Sequence, residues 1–350
     1  MEEFFMPKKN MSLLLCAALA AAGLTACGNN AQTSDHKSNS KNLSIVCTIF
    51  PEYDWVKQIL GDHAANTDLT YLLDSGMDLH SYQPTAVDMA KIAECDLFVC
   101  VGGESDEWVE DALAEAVNKD MQVINLLEVM GDAAKEEEVK EGMEHDHDHE
   151  EHDHEHDEDA HDHEHEHEEG EVEYDEHVWL SLKNAKKLCT EIADKLSILD
   201  SANKNDYKTN LDAYTAQLDK LDSDFQALAD GAKQKTLVFG DRFPFRYFAD
   251  DYGLDYYAAF VGCSAETEAS FETIVFLAEK LDDLGCGTIF TIENSDHKIA
   301  QTIIDNTKAK NQSIAELNSL QSVAKDQIGS GVTYLSLMQS NYDVLKSALQ

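Results

Sequence analysis

The stretch that decides the fold is YKTNLDAYTAQLDKLDSDFQAL, residues 207–228. Its apolar residues, Tyr207, Leu211, Tyr214, Leu218, Leu221, Phe225 and Leu228, recur at alternating spacings of four and three. That rhythm puts them in one stripe on a single helix, about 33 Å long at 1.5 Å per residue. Such a heptad also admits a coiled-coil partner. Three heptads are the lower edge for that reading, and a helix packed against its own chain is the better one.

On either side of this helix the pattern alternates between strand and helix. Before it, LSIVCTI (43–49), TDLTYLL (67–73), DLFVCVG (96–102) and MQVINL (121–126) read as strands. Helical spacing runs through 53–60, 86–94 and 106–117 between them. After it, KTLVFG (235–240), LDYYAAF (254–260), GTIFTI (287–292) and QSIAEL (312–317) read as strands, with helices near 269–282, 296–308 and 331–349. Alternation of this kind predicts the α/β class, with mainly parallel sheets flanked by helices. Four strands before and four after predict two similar lobes, at 43–200 and 233–350, joined by a stiff helix within 201–232 that limits their relative motion.

The N-terminus reads as an export signal. Lys8 and Lys9 precede MSLLLCAALAAAGLTAC (11–27), whose apolar part of about 14 residues suits a secretory signal and is too short for an ordinary membrane span. It ends in Leu24-Thr25-Ala26-Cys27, which resembles a bacterial lipobox and implies lipidation of Cys27 after removal of 1–26. The acidic MEEFF at 1–5 fits such a signal poorly and points to Met6 as the start. Residues 27–42 are polar and read as a flexible tether. The expected location is extracytoplasmic, anchored to the cell membrane through Cys27. Six further cysteines remain beyond Cys27, with no CxxC spacing, and Cys263 with Cys286 is the one disulfide the sequence suggests.

The net charge of −43 argues against nucleic-acid binding. Fifteen of the acidic residues fall in EHDHDHEEHDHEHDEDAHDHEHEHEE, residues 144–169, together with His145, His147, His149, His152, His154, His156, His161, His163, His165 and His167. So much nitrogen and oxygen donor capacity reads as metal binding. With Ala160 as its only apolar residue, the run cannot build a fixed cage, so within 141–173 it reads as a disordered accessory loop that collects, buffers or senses metal. A selective site needs ligands held by packed neighbours. Outside the run there are five histidines, His36, His63, His80, His177 and His297. His80 sits in GMDLHSYQPT (76–85), a loop after a strand, and His177 sits in YDEHVWLSL (174–182), just after the run. Two isolated histidines are too few for zinc, which takes about four donors.

Several segments, in this order, resemble solute-binding lipoproteins of high-affinity zinc-uptake ABC transporters, the ZnuA/AdcA-like proteins of cluster A-I. They are TIFPEYDWVKQILGD (48–62), GMDLHSYQPTAVDM (76–89), DEHVWLSLKNA (175–185), YFADDYGL (247–254) and TYLSLMQSNYDVL (333–345). The resemblance runs from about residue 43 to the end. It implies a metal site in the cleft between two lobes joined by one long helix, with Zn²⁺ as the transported ligand. A His/acid-rich insertion before the second ligand loop marks zinc-specific members, where this run lies. The implied partners are an ABC permease and, through it, a cytoplasmic ATPase, with the protein itself a monomer and not an enzyme. Carried over by position, His80 matches the first ligand and His177 the second, although Leu79 and Glu176 replace prolines usual before them. The third histidine is missing. FGDRFPFRYF (239–248) has Gly240 at that position, then Asp241 and Arg242, with two extra residues before Tyr247. Asp241 either supplies a carboxylate or is held in an ion pair by Arg242. Glu293 in TIENSDHKIA (291–300) matches the zinc-type carboxylate position. Asp296 lies nearer the manganese-type one and also suits a helix cap, and His297 is a spare donor.

Three rival readings follow. The same fold could carry Mn²⁺ or Fe²⁺, which a carboxylate-rich site tolerates. A surface lipoprotein could scavenge zinc, adhesin-like, without a transporter. A zinc hydrolase would need an open coordination position and a general base, and the sequence has no GxSxG motif and no HExxH outside the histidine run.

Overall fold

Two four-stranded sheets of one topology account for all the strands the sequence suggests. The computed structural model describes residues 42–143, 173–264 and 268–350. In the first lobe β1 (Leu43–Cys47), β2 (Thr67–Tyr71), β3 (Leu97–Cys100) and β4 (Gln122–Asn125) line up as β2-β1-β3-β4. In the second, β5 (Thr236–Phe243), β6 (Asp255–Val261), β7 (Thr288–Ile292) and β8 (Ser313–Leu317) line up as β6-β5-β7-β8. Every pairing between these strands is parallel. Parallel strands need crossovers. Helices α1 (Phe50–Leu60), α2 (Ala86–Glu94), α3 (Trp108–Ala114) and α4 (Leu126–Met130) belong to the first lobe. Strand order reverses between β1 and β3, and again between β5 and β7. The loops at the carboxyl ends beside these switch points are where open α/β sheets place ligands.

Two helices follow the first lobe. The sequence reading missed α5 (Leu182–Leu199), whose Leu182, Ala185, Leu188, Cys189, Ile192 and Leu196 are buried. The heptad stripe forms α6 (Lys204–Gly231), which buries Tyr207, Tyr214, Leu218, Leu221, Phe225 and Leu228 against α5, α1 and the second lobe. Its partner is therefore within the chain, and no coiled coil is needed to explain the repeat. At the start of α6, Asn210 Nδ2 donates to Ile59 O at 2.9 Å, and Tyr207 lies edge-on to His63. The Phe225 ring near its end meets Phe248 and Tyr252 of α7 (Arg246–Tyr252) and Tyr342 of the C-terminal helix, with centroids 4.9 to 5.4 Å apart. Burying a ring of this size contributes about 1.5–3 kcal/mol.

The second lobe is completed by α8 (Phe271–Leu284), α9 (Lys298–Asn306), α10 (Lys325–Gly329) and α11 (Tyr334–Leu349). Its C-terminal part crosses back to the first lobe. Tyr334 donates through its backbone N–H to Asp54 Oδ2 and through its hydroxyl to Trp179 O, while Trp179 Nε1 donates to Ser319 O. Tyr71 Oη donates to Val323 O, and Ser75 forms an antiparallel bridge with Ala324. The lobes are thus tied by α6, by α11 and by the strap after β8. Among the described residues no helix is long and apolar enough to cross a membrane.

The suggested disulfide does not form: Cys263 and Cys286 are both reduced thiols. Cys263 follows the carboxyl end of β6, whereas Cys286 precedes the amino end of β7 in the same parallel sheet. A five-residue strand at about 3.3 Å per residue holds the two far beyond the roughly 7 Å Cα limit for a bridge. Cys27 with its signal and tether, and the histidine run, lie outside the described residues.

Candidate metal centre

His80 lies in a short 3₁₀ turn, Leu79–Ser81, that follows β2. Asp78 fixes the turn by accepting the His80 backbone N–H at 3.0 Å. The other oxygen of Asp78 takes an ion pair from Arg242, so the loop is tied to the opposite lobe. His177 is fully buried and ends the segment that leads into α5. Asp175 Oδ1 accepts both the His177 backbone N–H at 2.9 Å and Nδ1 at 3.1 Å. His80 Nδ1 is engaged by Ser105 Oγ at 2.7 Å. With both Nδ1 atoms held by oxygen partners, each ring turns its Nε2 inward, and the two Nε2 atoms lie 3.2 Å apart. Outer hydrogen bonds of this type orient metal-binding imidazoles and fix their tautomer.

Cys263 is the third member, and the sequence reading missed it as a donor. Donor atoms of His80, His177 and Cys263 all lie within 4.8 Å of one another, the one such group of three among the described residues. The cysteine comes from the turn after β6, while His80 comes from the loop after β2, the corresponding edge strand of the other sheet. Gly262 lets that turn press on the histidine, since a Cβ there would lie 3.2 Å from His177 Cε1 and Nδ1. Cys263 N–H donates to Glu137 Oε1 at 3.1 Å, which fixes the turn. The signal available in the sequence was its place, a Gly-Cys pair just past a strand's carboxyl end. The assumption of a disulfide hid it.

Electrostatics suit a cation. Burial, then His177, then Arg242 hold the His80 imidazole well below its ordinary pKa, so it is neutral, as a ligand must be. Burial, then Asp175, Glu176 and Glu137 push the Cys263 thiol well up, so it is protonated until a cation arrives. Burial also pushes Glu176 up to about 7. Its Oε2 has no hydrogen-bond partner and sits 3.6 Å from His80 Nδ1.

The remaining candidates do not join this group. Asp241 Oδ1 accepts the Arg242 backbone N–H at 2.9 Å and Oδ2 that of Ile292 at 3.4 Å. The anticipated Asp241–Arg242 ion pair is not formed either, because the guanidinium goes to Asp78 and to Ser264 O. Glu293 is buried, and its two oxygens accept from Ser319 N–H at 2.6 Å and Ser319 Oγ at 2.7 Å. His297 has a left-handed backbone, φ 59°, and its Nδ1 faces Thr291 Oγ1 at 3.2 Å. Asp296 accepts the N–H of Lys298, the first residue of α9, at 3.0 Å, but the N-cap is His297, which makes no side-chain cap hydrogen bond, so the expected Asp296 cap is not formed. Asp241, Glu293 and Asp296 share a cavity of about 540 Å³ with Asp78 and Arg242, while His80, Ser105 and Cys263 line a neighbouring one of about 480 Å³.

Gly240 cannot supply the missing histidine. An added Cβ would stand 2.6 Å from Ala300 Cα of α9. The β5–β6 register slips between Phe239 and Arg242, a bulge that absorbs extra sequence at this point.

Two parallel α/β sheets of one topology, bridged by a long helix and with histidines and a cysteine converging from both lobes, define a two-lobed solute-binding protein. The family model for the periplasmic zinc-uptake complex component A, ZnuA, matches residues 45–348, and the chain belongs to that family. A zinc-binding lipoprotein of Streptococcus pneumoniae, AdcA, is 33% identical over 345 residues, or 97% of this chain and 60% of the relative. The chain thus spans little more than half the length of that relative. The high-affinity zinc uptake system protein ZnuA of Bacillus subtilis is 30% identical over 341 residues, 97% of this chain and 98% of that protein. The crystal structure of the Zn(II)-bound ZnuA-like domain of the pneumococcal AdcA superposes with a TM-score of 0.65 at 28% identity, covering 88% of this chain and 99% of that one.

Proposed function

We propose that this chain captures Zn²⁺ outside the cytoplasm and delivers it to an ABC permease for import, held at the membrane by a lipidated Cys27. The observation that carries the reading is the pair of Nε2 atoms 3.2 Å apart, each on a ring whose Nδ1 is already engaged. Two imidazoles in that attitude are poised to converge on one cation with little reorganisation. The family to which the chain belongs supports zinc as the cargo, as do the zinc-binding relatives.

The histidine run would act beside this centre. The chain leaves at Met143 and returns at Glu173, and 135–137 pairs with 173–175 through Glu137 N–H to Glu173 O and Asp175 N–H to Lys135 O, both at 2.9 Å. The second strip ends two residues before His177, so metal collected on the run would be near the site. Radioactive zinc uptake tests the function in cells lacking this gene and complemented with the chain. Wild type should restore uptake from zinc-poor medium and His177→Ala should not. Equal uptake with both would refute the assignment.

A further inference from the structure

We propose that Cys263 is the third protein ligand of the zinc site, in place of the histidine that position 240 cannot carry. This deepens the proposed zinc-capture reading and rests on it. Three observations converge. The sulfur is within 4.8 Å of ring nitrogens on both histidines. Ala300 excludes any side chain at residue 240, so that position cannot supply the second lobe's donor. The turn that carries Cys263 is built for close approach, with Gly262 against the His177 ring and Glu137 holding the Cys263 N–H.

The other described cysteines do not compete for this role. Cys47, Cys95, Cys100 and Cys189 are fully buried among apolar side chains, and Cys286 takes a hydrogen bond from Gln234 at 2.9 Å. On binding, the Cys263 thiol loses its proton to solvent and the thiolate donates an electron pair to the metal, so each ion bound releases one proton from this residue. Two imidazoles and a thiolate form a three-ligand zinc set that leaves one position for exchange. A thiolate also disfavours manganese, which prefers oxygen donors. The site therefore discriminates by donor chemistry where the family pattern has a third imidazole.

The test uses the full chain under a non-coordinating phosphine reductant, titrated with Co²⁺. A thiolate ligand gives sulfur-to-cobalt charge-transfer absorption in the near ultraviolet, to which the histidine run, having no sulfur, is blind. Wild type and Cys286→Ser should show the band, added zinc should remove it, and Cys263→Ser should lack it. Cys263→Ser should also weaken zinc by more than the roughly 10–100-fold cost of losing an outer hydrogen-bond partner. X-ray absorption of wild type with less than one equivalent of zinc needs no variant, and should show sulfur at about 2.3 Å. If wild type shows neither the band nor the sulfur shell while His80→Ala and His177→Ala still abolish tight zinc, the cysteine assignment is wrong and the capture reading stands. If those two histidine variants leave zinc binding intact, both fall.

Discussion

Gly240 and Ala300 stand so close that a Cβ on the glycine would lie 2.6 Å from the alanine Cα. The contact is between a strand and a helix backbone, so no rotamer change relieves it. Restoring the family histidine by Gly240→His should therefore lower stability by about 1–3 kcal/mol or more and should not tighten zinc binding. Urea unfolding and chelator competition measure the two effects. A stable variant with tighter zinc would mean that α9 yields and that 240 is an available ligand position.

Asp175 holds His177 twice, at the backbone and at Nδ1. Asp175→Asn removes the charge that secures the Nδ1 proton while keeping a side chain of the same shape. Zinc affinity should fall about 10–100-fold with little change in the metal-free melting temperature. Unchanged affinity would show that His177 is positioned by its burial alone.

Glu52 and Asp106 are buried carboxyls, each with one oxygen that lacks a hydrogen-bond partner. Burial, with Asp106 adding, pushes Glu52 up to about 8, and burial pushes Asp106 up to about 6. Both folded values lie above the unfolded ones, so the folded chain binds more protons. Their contribution to stability is full below the unfolded carboxyl pKa of roughly 4 and is lost as pH rises through about 6 and about 8. With a chelator present, stability should fall between pH 5 and pH 8.5 by on the order of a few kcal/mol, and Glu52→Gln should flatten much of that slope. Parallel pH profiles for the two proteins would count against the Glu52 assignment.

Period and spacing made the scaffold legible. Eight apolar runs became eight strands, and the heptad from Tyr207 to Leu228 became α6, because both patterns record burial directly. Helix α5 escaped notice, since its Leu182, Ala185, Leu188, Ile192 and Leu196 stripe is diluted by lysines at 183, 186, 187 and 195. The site was legible only in part. His80 and His177 stand in distinctive loops, but Asp241, Glu293 and His297 were read from linear position. Position does not reveal that Ser319 takes both Glu293 oxygens or that Arg242 reaches across to Asp78. Cys263 carried only the weak signal of its place past a strand's end, because its proximity to His177 is set by the stacking of one lobe on the other, over 85 residues of intervening chain.

The central claim is that the fixed pair His80 and His177, rather than the histidine run, holds the tight zinc ion. The most direct measurement is zinc titration against a competing chelator for the full chain and for the chain lacking 144–169, each with and without His177→Ala. The account predicts that one tight site per chain survives the deletion and disappears with His177→Ala in both backgrounds. Tight binding that leaves with the run and is indifferent to His177→Ala would contradict it.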